Sequence, residues 1–384
     1  MLINLRPAGI EASPDPETIE PVLIPWRWLR DHGEDEASRD PHTWQRRVDT
    51  FSIEPGCRGT LKQQAGELTV VWDDGIETTH SWQQLTTVIN EFAATDWSPR
   101  PEPRPRIPHD IDLWPRPPIG LSEQSLGAFL SSDDELAAGV EQLHRYGYLV
   151  LRGDLSTVDR AQAFADRLGS VRHTIFGGLW DLAPDLSEHA DTAYDRVFLG
   201  PHTDGTYSHD APGLQFFLCR QAAATGGESL LVDGFAIAAE LAAGDPEAFA
   251  TLASVTVHSR YIEPGVHLAA ARPVLRSNVR GELDQVSFNN YDRAPFLLPS
   301  ELEDRFYRAY GRFAALANDP SRQAAVTLTP GDLMVFDNWR TLHGRNAFEG
   351  PRHYCGAYLN HEDLESKRLV LGLTGKDTIH ASPR

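Results

Sequence analysis

Residues 332–360, DLMVFDNWRTLHGRNAFEGPRHYCGAYLN, decide how this chain folds. One apolar run ends at Phe336 and a second closes at Leu359, with polar and Gly-containing chain between them. The segment reads as a strand ending at Phe336, a loop carrying His343, and a second strand opened by Arg352. Working outward, similar short runs recur between Gly, Pro and Asp: GLQFFLC (213–219), ESLLVDG (228–234), PVLRS (273–277) and QVSFNN (285–290). Many strands of this length in an enzyme-sized chain predict a mainly β fold, a jelly-roll or barrel with helices on the outside.

The helices announce themselves by their ends. In SDDELAAGVEQLHRYG (132–147), Ser132 and Glu135 form a capping-box pattern, Leu136, Val140 and Leu143 recur at helical spacing, and Gly147 stops the run. YLVLRG (148–153) then reads as a buried strand, and a further helix is expected from Ser156, with Asp159 in the box position. Prolines crowd residues 97–118, WSPRPEPRPRIPHDIDLWPRPP, and favour extended chain, so this is the expected linker. Before it, ELTVVWDDGIETTHSW (67–82) reads as two strands joined at Asp73-Asp74-Gly75, making 1–96 a small β-rich N-terminal domain and leaving 119–384 for the larger one.

Composition narrows the function. The 384 residues are 41% hydrophobic and carry a net charge of -20, which repels nucleic-acid phosphates and leaves no basic stripe to reverse that locally. No apolar stretch is long enough for a membrane span. The N-terminal stretch lacks a secretory pattern, and Cys57, Cys219 and Cys355 are scattered without paired spacing. A cytoplasmic protein without a disulfide framework or thiolate zinc site is the expectation.

The chemistry gathers around GPHTDGTY (200–207). Side chains two apart on extended chain share a face, so His202 and Asp204 can address one point. Alone, the pair is either a polar turn or half of a metal site. His343 supplies a third ligand, and two histidines with one carboxylate form the facial triad that leaves open positions on Fe(II) for a 2-oxo acid and dioxygen. Arg352 is then available to hold the distal carboxylate of 2-oxoglutarate by a forked pair of charged hydrogen bonds.

Taken together, HTD (202–204), TGGESLLVDGF (225–235), NNYDRA (289–294) and DNWRTLHGR (337–345) resemble the Fe(II)/2-oxoglutarate dioxygenases of the taurine dioxygenase superfamily. Within it the chain is most similar to the branch containing γ-butyrobetaine and trimethyllysine dioxygenases, from about Pro21 to Leu371. The resemblance implies a double-stranded β-helix, or jelly-roll, with iron on His202, Asp204 and His343. It also implies 2-oxoglutarate and O2 as co-substrates, with Arg352, Arg345 and Ser229 at the 2-oxoglutarate site.

For the substrate, the resemblance implies a trimethylammonium group facing Phe176, Trp180, Tyr194 and Tyr358, since a cation without N–H donors is best met by π faces. Phe176 stands where the branch has a tyrosine. Asn289, Asn290, Tyr291 and Asp292 would line the other end, Asp292 pairing an α-ammonium if the substrate is an amino acid; a turn would also use such residues for its own backbone. A trimethyllysine-like substrate is favoured, with γ-butyrobetaine, a trimethylammonium phosphonate, or amino-acid hydroxylation, desaturation or cyclisation as alternatives. A vestigial jelly-roll that only binds is the non-enzyme alternative.

The branch also carries an N-terminal zinc and forms homodimers. Here WRWLRDH (26–32) is kept, but Gly33 and Ser38 stand where thiolates belong, and His32, His42 and His80 are too few to close a tetrahedral site. No structural zinc is expected; a homodimer is.

Overall fold

The computed structural model describes every residue except 42, 65, 96, 98–104, 119–122, 184–194 and 374–384. Two sheets form the larger part. A six-stranded sheet runs in the order Gln124–Ser125, Tyr148–Arg152, Leu333–Asp337, Leu214–Gln221, His353–Leu359, Trp180–Leu182. A four-stranded sheet runs Leu199–His202, Thr341–Arg345, Ser229–Asp233, Ala324–Val326.

Period-two alternation distributes the side chains of the larger sheet. Leu149, Leu151, Phe216, Leu218, Leu333, Val335, Ala357 and Leu359 point to one face and join a core with the helices Leu126–Ser131, Asp133–Tyr146, Val158–Leu168 and His361–Val370. Tyr148, Val150, Phe217, Cys219, Met334, Phe336 and Tyr354 point to the other, where Leu231 and Ala324 of the smaller sheet meet them. The fold is therefore mainly β with flanking helices.

Local signals read from the sequence account for most of these elements. Ser132 accepts a hydrogen bond from the Glu135 amide at the head of Asp133–Tyr146, and Gly147 ends that helix at φ 77, a left-handed conformation that costs glycine little. The next helix starts at Val158 with Thr157 as its cap, two residues later than the Ser156 start expected. The hairpin Glu67–Trp72/Glu77–Ser81 turns at Asp73-Asp74-Gly75 as expected.

One expectation fails. His343 is not in a loop: Thr341–Arg345 is a strand, paired antiparallel on one side with Ser229–Asp233 and on the other with Leu199–His202, where His202 faces His343. Polar residues and Gly344 hide it, because its strand geometry comes from its two neighbours rather than from its own propensity.

The proline-rich segment differs from a free connector where it is described. Trp114 is buried, its backbone N–H bonds Asp233 Oδ2 at 3.0 Å, and its indole N–H bonds the Tyr146 carbonyl at 2.7 Å.

The first 95 residues carry two three-stranded sheets over their own core of Ile10, Ile24, Trp28, Val70, Leu85 and Ile89, with Leu297 joining from the later chain. Around Gly33 a hydrogen-bonded knot closes the chain: Asp35 accepts from the Ser38 amide at 3.0 Å, the Ser38 hydroxyl at 3.0 Å and the Thr79 amide at 3.2 Å. Both nitrogens of buried His80 are engaged, with Gln84 at 3.1 Å and Thr78 at 3.4 Å. Among the described residues no helix is long and apolar enough to cross a membrane.

Candidate active site

His202 ends its strand and His343 sits mid-strand beside it, so pairing alone brings the two rings to 4.4 Å between centroids. Asp204 follows the strand in a turn fixed by Asn338, which accepts from the Asp204 amide at 2.8 Å and donates to the Asp204 carbonyl at 3.1 Å. Asp204 Oδ1 lies 3.3 Å from His202 Nε2, and Oδ2 lies 3.7 Å from His343 Nε2. Among the described residues this is the one His/Cys/Asp/Glu cluster whose candidate ligand atoms all fall within 4.8 Å of one another.

The surroundings orient these groups. His202 Nδ1 is 2.9 Å from the Gly200 carbonyl, which can only accept, so a proton sits on Nδ1 and Nε2 is the nitrogen turned toward the cluster. The Tyr358 hydroxyl donates to Asp204 Oδ2 at 2.8 Å, and the Phe336 ring lies 4.6 Å from that of His343. Burial would raise the Asp204 pKa, but His343, His202 and the Tyr358 hydrogen bond outweigh it and hold the carboxyl well below its usual range. Burial pushes His343 down to about 3, so its ring is neutral at pH 7, the state a metal ligand requires.

A cleft enclosing about 900 Å³, part of it open to solvent, carries the cluster on its wall. Arg352, Arg345 and Ser229 line it too. Arg352 is 5% exposed, its guanidinium sits 3.9 Å from the centre of the Tyr354 ring, and its Nε has no partner among the described residues. Burial lowers its pKa, and the groups that oppose this are Tyr354 and Cys219, whose own pKa values burial pushes upward, the thiol to about 11. No carboxylate among the described residues pairs with it. Arg345 instead donates to the backbone carbonyls of Asp195 and Val197, the latter at 3.1 Å.

The aromatic wall consists of Phe176, Trp180 and Tyr358 with Tyr207. Trp180 lies 5.6 Å from Tyr358 and 5.6 Å from Phe217, and its ring covers Gly356, where a Cβ would come within 2.4 Å of the indole. Tyr194 lies outside the described residues.

The segment 289–292 divides. Asn289, Tyr291 and Asp292 line the cleft. Tyr291 Oη accepts from the Gly200 amide at 3.0 Å, tying the segment to the His202 strand. Asn289 Nδ2 donates to Asp292 Oδ2 at 2.7 Å while its Oδ1 caps the Tyr291 amide at 2.9 Å, the turn use of such residues. Asn290 is a correction to the expected set, because its side chain bonds Thr50 at 3.2 Å and Arg293 at 3.0 Å and is not part of the cleft wall.

Sequence reasoning did not single out Gln45 or Gln215, both of which line the cleft. Gln215 had a signal, a polar residue inside the apolar run LQFFL. Gln45 had none.

The taurine catabolism dioxygenase TauD/TfdA family matches residues 113–358. The chain is 32% identical to the mitochondrial trimethyllysine dioxygenase of Gallus gallus, over 90% of this chain and 82% of that protein. It is also 32% identical to trimethyllysine dioxygenase of Neurospora crassa, over 94% and 83% of the two chains. With γ-butyrobetaine dioxygenase of Pseudomonas sp. (strain AK-1) the identity is 32%, over 80% and 79%. A family match across well over half the chain, carried by relatives matched along most of their length, shows that this protein is a dioxygenase belonging to the TauD/TfdA family.

Proposed function

We propose that the protein is an Fe(II)- and 2-oxoglutarate-dependent hydroxylase of a small quaternary-ammonium amino acid resembling Nε-trimethyllysine. The observation that carries this reading is a buried Arg352 that pairs with no carboxylate among the described residues, in the same cleft as a His-Asp-His cluster and an aromatic wall. A buried guanidinium is costly unless an anion meets it, and a dicarboxylate is the anion this family's chemistry calls for.

His202, Asp204 and His343 would hold the iron, the two neutral imidazoles and one carboxylate being the donor set that suits Fe(II). Bound iron, 2-oxoglutarate and dioxygen together supply the oxidising power, with succinate and carbon dioxide as co-products. The chain's own residues do the rest. Arg352 grips the distal carboxylate of 2-oxoglutarate, held by its Tyr354 stack, and Ser229 stands beside that site. Tyr358 has a double task, fixing Asp204 through its hydroxyl while offering its ring to the cation. Phe176 and Trp180 complete the aromatic wall and exclude water; Tyr194 belongs to the same proposal. Asp292 would receive a substrate ammonium, and Asn289 and Tyr291 its carboxylate.

In this reading the two larger sheets form a double-stranded β-helix in residues 119–384, and residues 1–96 form an accessory domain. A homodimer and a cytoplasmic location accompany it, and sedimentation velocity tests the first.

The second reading, a γ-butyrobetaine hydroxylase, draws on the Pseudomonas relative. The two separate at Asp292, which suits the α-ammonium of an amino acid and gives γ-butyrobetaine, which has only a carboxylate at that end, nothing to pair. Incubating the iron-loaded enzyme with 2-oxoglutarate and each amine in turn tests both. Nε-trimethyllysine should gain one oxygen and yield succinate faster than γ-butyrobetaine; succinate formation with neither would refute the proposal.

A further inference from the structure

Gln45 belongs to the first fifty residues, yet its side chain lines the catalytic cleft and its Nε2 donates to Asp292 Oδ1 at 3.1 Å, 247 residues along the chain. The contact is built into the backbone on both sides. The Gln45 carbonyl accepts from the Asp40 amide at 2.9 Å, and the next residue's amide, Arg46 N, donates to the Tyr291 carbonyl at 3.1 Å. The Asp292 carbonyl in turn accepts from the Arg260 amide at 2.9 Å. The strap 45–46 and the segment 289–293 are thus stitched together edge to edge.

The consequence falls on the Asp292 carboxylate. It is 6% exposed and lines the cleft, and among its partners Gln45 donates to Oδ1 and Asn289 to Oδ2 at 2.7 Å. An ionised carboxylate has about four lone-pair positions, so these two donors on its two oxygens set its plane, and where it lines the cleft it is the acceptor a cationic ligand would meet. Its neighbours that face away from the cleft, Asn290 and Arg293, are committed to Thr50 and Asp31.

We propose that Gln45 is a specificity-determining residue. By orienting Asp292 toward the cleft it selects substrates that carry a free ammonium at the end remote from the trimethylammonium group, against betaines that lack one. The N-terminal segment therefore takes part in choosing the substrate. This rests on the quaternary-ammonium reading above.

The test compares two ligands on anaerobic enzyme holding Fe(II) and 2-oxoglutarate, using calorimetry: Nε-trimethyllysine and its analogue with the α-amino group replaced by hydrogen. Gln45→Met, which keeps the chain length and removes the amide, should weaken the amino-bearing ligand roughly tenfold, the loss of one oriented charged hydrogen bond. The deaminated analogue should bind within about twofold of wild type on the same energetic scale, and 2-oxoglutarate affinity should not move. Gln45→Leu should give the same selective loss, and melting temperatures of both variants check folding. If both ligands bind but their ratio is the same in wild type and variants, or both weaken equally, the role of Gln45 is overturned while the functional reading stands. If neither ligand binds wild type, the functional reading falls and this inference with it.

Discussion

Asp31 is the place where one atom's charge should matter most to stability. Its carboxylate is fully enclosed and accepts from Arg46, Arg293, the Thr50 hydroxyl at 2.6 Å and the Tyr307 hydroxyl at 2.7 Å. Both arginine side chains are 1% exposed, and His32 beside them is kept neutral by burial. Asp31→Asn preserves the shape and removes the one carboxylate that pairs with the two guanidiniums among the described residues. Breaking a buried pair in this way costs about 3–5 kcal/mol. At about 2.1 cal/mol/K per residue, 384 residues unfold with roughly 0.8 kcal/mol/K, so the melting temperature should fall by about 4–6 °C. Differential scanning fluorimetry on wild type and Asp31→Asn measures this. Because Arg293 directly follows the cleft-lining Asp292, the substrate KM should rise while that for 2-oxoglutarate stays put. A variant that melts within about 1 °C of wild type would refute the reasoning, since a shift that small corresponds to less than 1 kcal/mol.

Three further outcomes follow from the site and its support. Gly356→Ala puts a methyl group 2.4 Å from the Trp180 ring, so the indole must move; substrate KM should rise about tenfold, within the range of a lost cation–π contact, with 2-oxoglutarate KM unchanged. Arg352→Lys should weaken 2-oxoglutarate binding by about a hundredfold, because a point charge cannot replace a two-pronged grip, and titration calorimetry with 2-oxoglutarate checks it. Burial, with Asp304 nearby, raises Glu303 to about 8. A carboxyl whose folded pKa exceeds its unfolded value contributes stability that is complete below the unfolded value and is lost as pH rises through the folded one. Between pH 6 and 8 this amounts to about 2 kcal/mol, so wild type should lose about 3 °C that Glu303→Gln retains. Parallel melting curves at the two pH values would contradict it.

What the sequence could and could not disclose follows from the range of the interactions. Caps and hairpin turns are local, and Ser132, Gly147 and Asp73-Asp74-Gly75 behave as read. The His202–Asp204 pair was legible from its residue types and spacing, although a turn set by Asn338 rather than extended chain brings Asp204 to the cluster, and His343 and Arg352 from their types and order. The strand around His343 was not, since Thr341–Arg345 owes its geometry to partners more than a hundred residues upstream. Asn290 and Asn289 are adjacent and chemically identical, so only the neighbours Thr50, Arg293 and Asp292 separate the one turned toward the N-terminal segment from the one in the cleft. Gln45 shows the same limit, being defined by a contact that no spacing in the chain encodes.

The central claim is that His202, Asp204 and His343 support the splitting of dioxygen between 2-oxoglutarate and a quaternary amine. Mass spectrometry after turnover under 18O2 tests it most directly. The account expects one labelled oxygen in succinate and one in hydroxylated Nε-trimethyllysine, in equal amounts, with neither formed by His202→Ala. Labelled succinate without label in any quaternary amine, or the same products from His202→Ala, would contradict it.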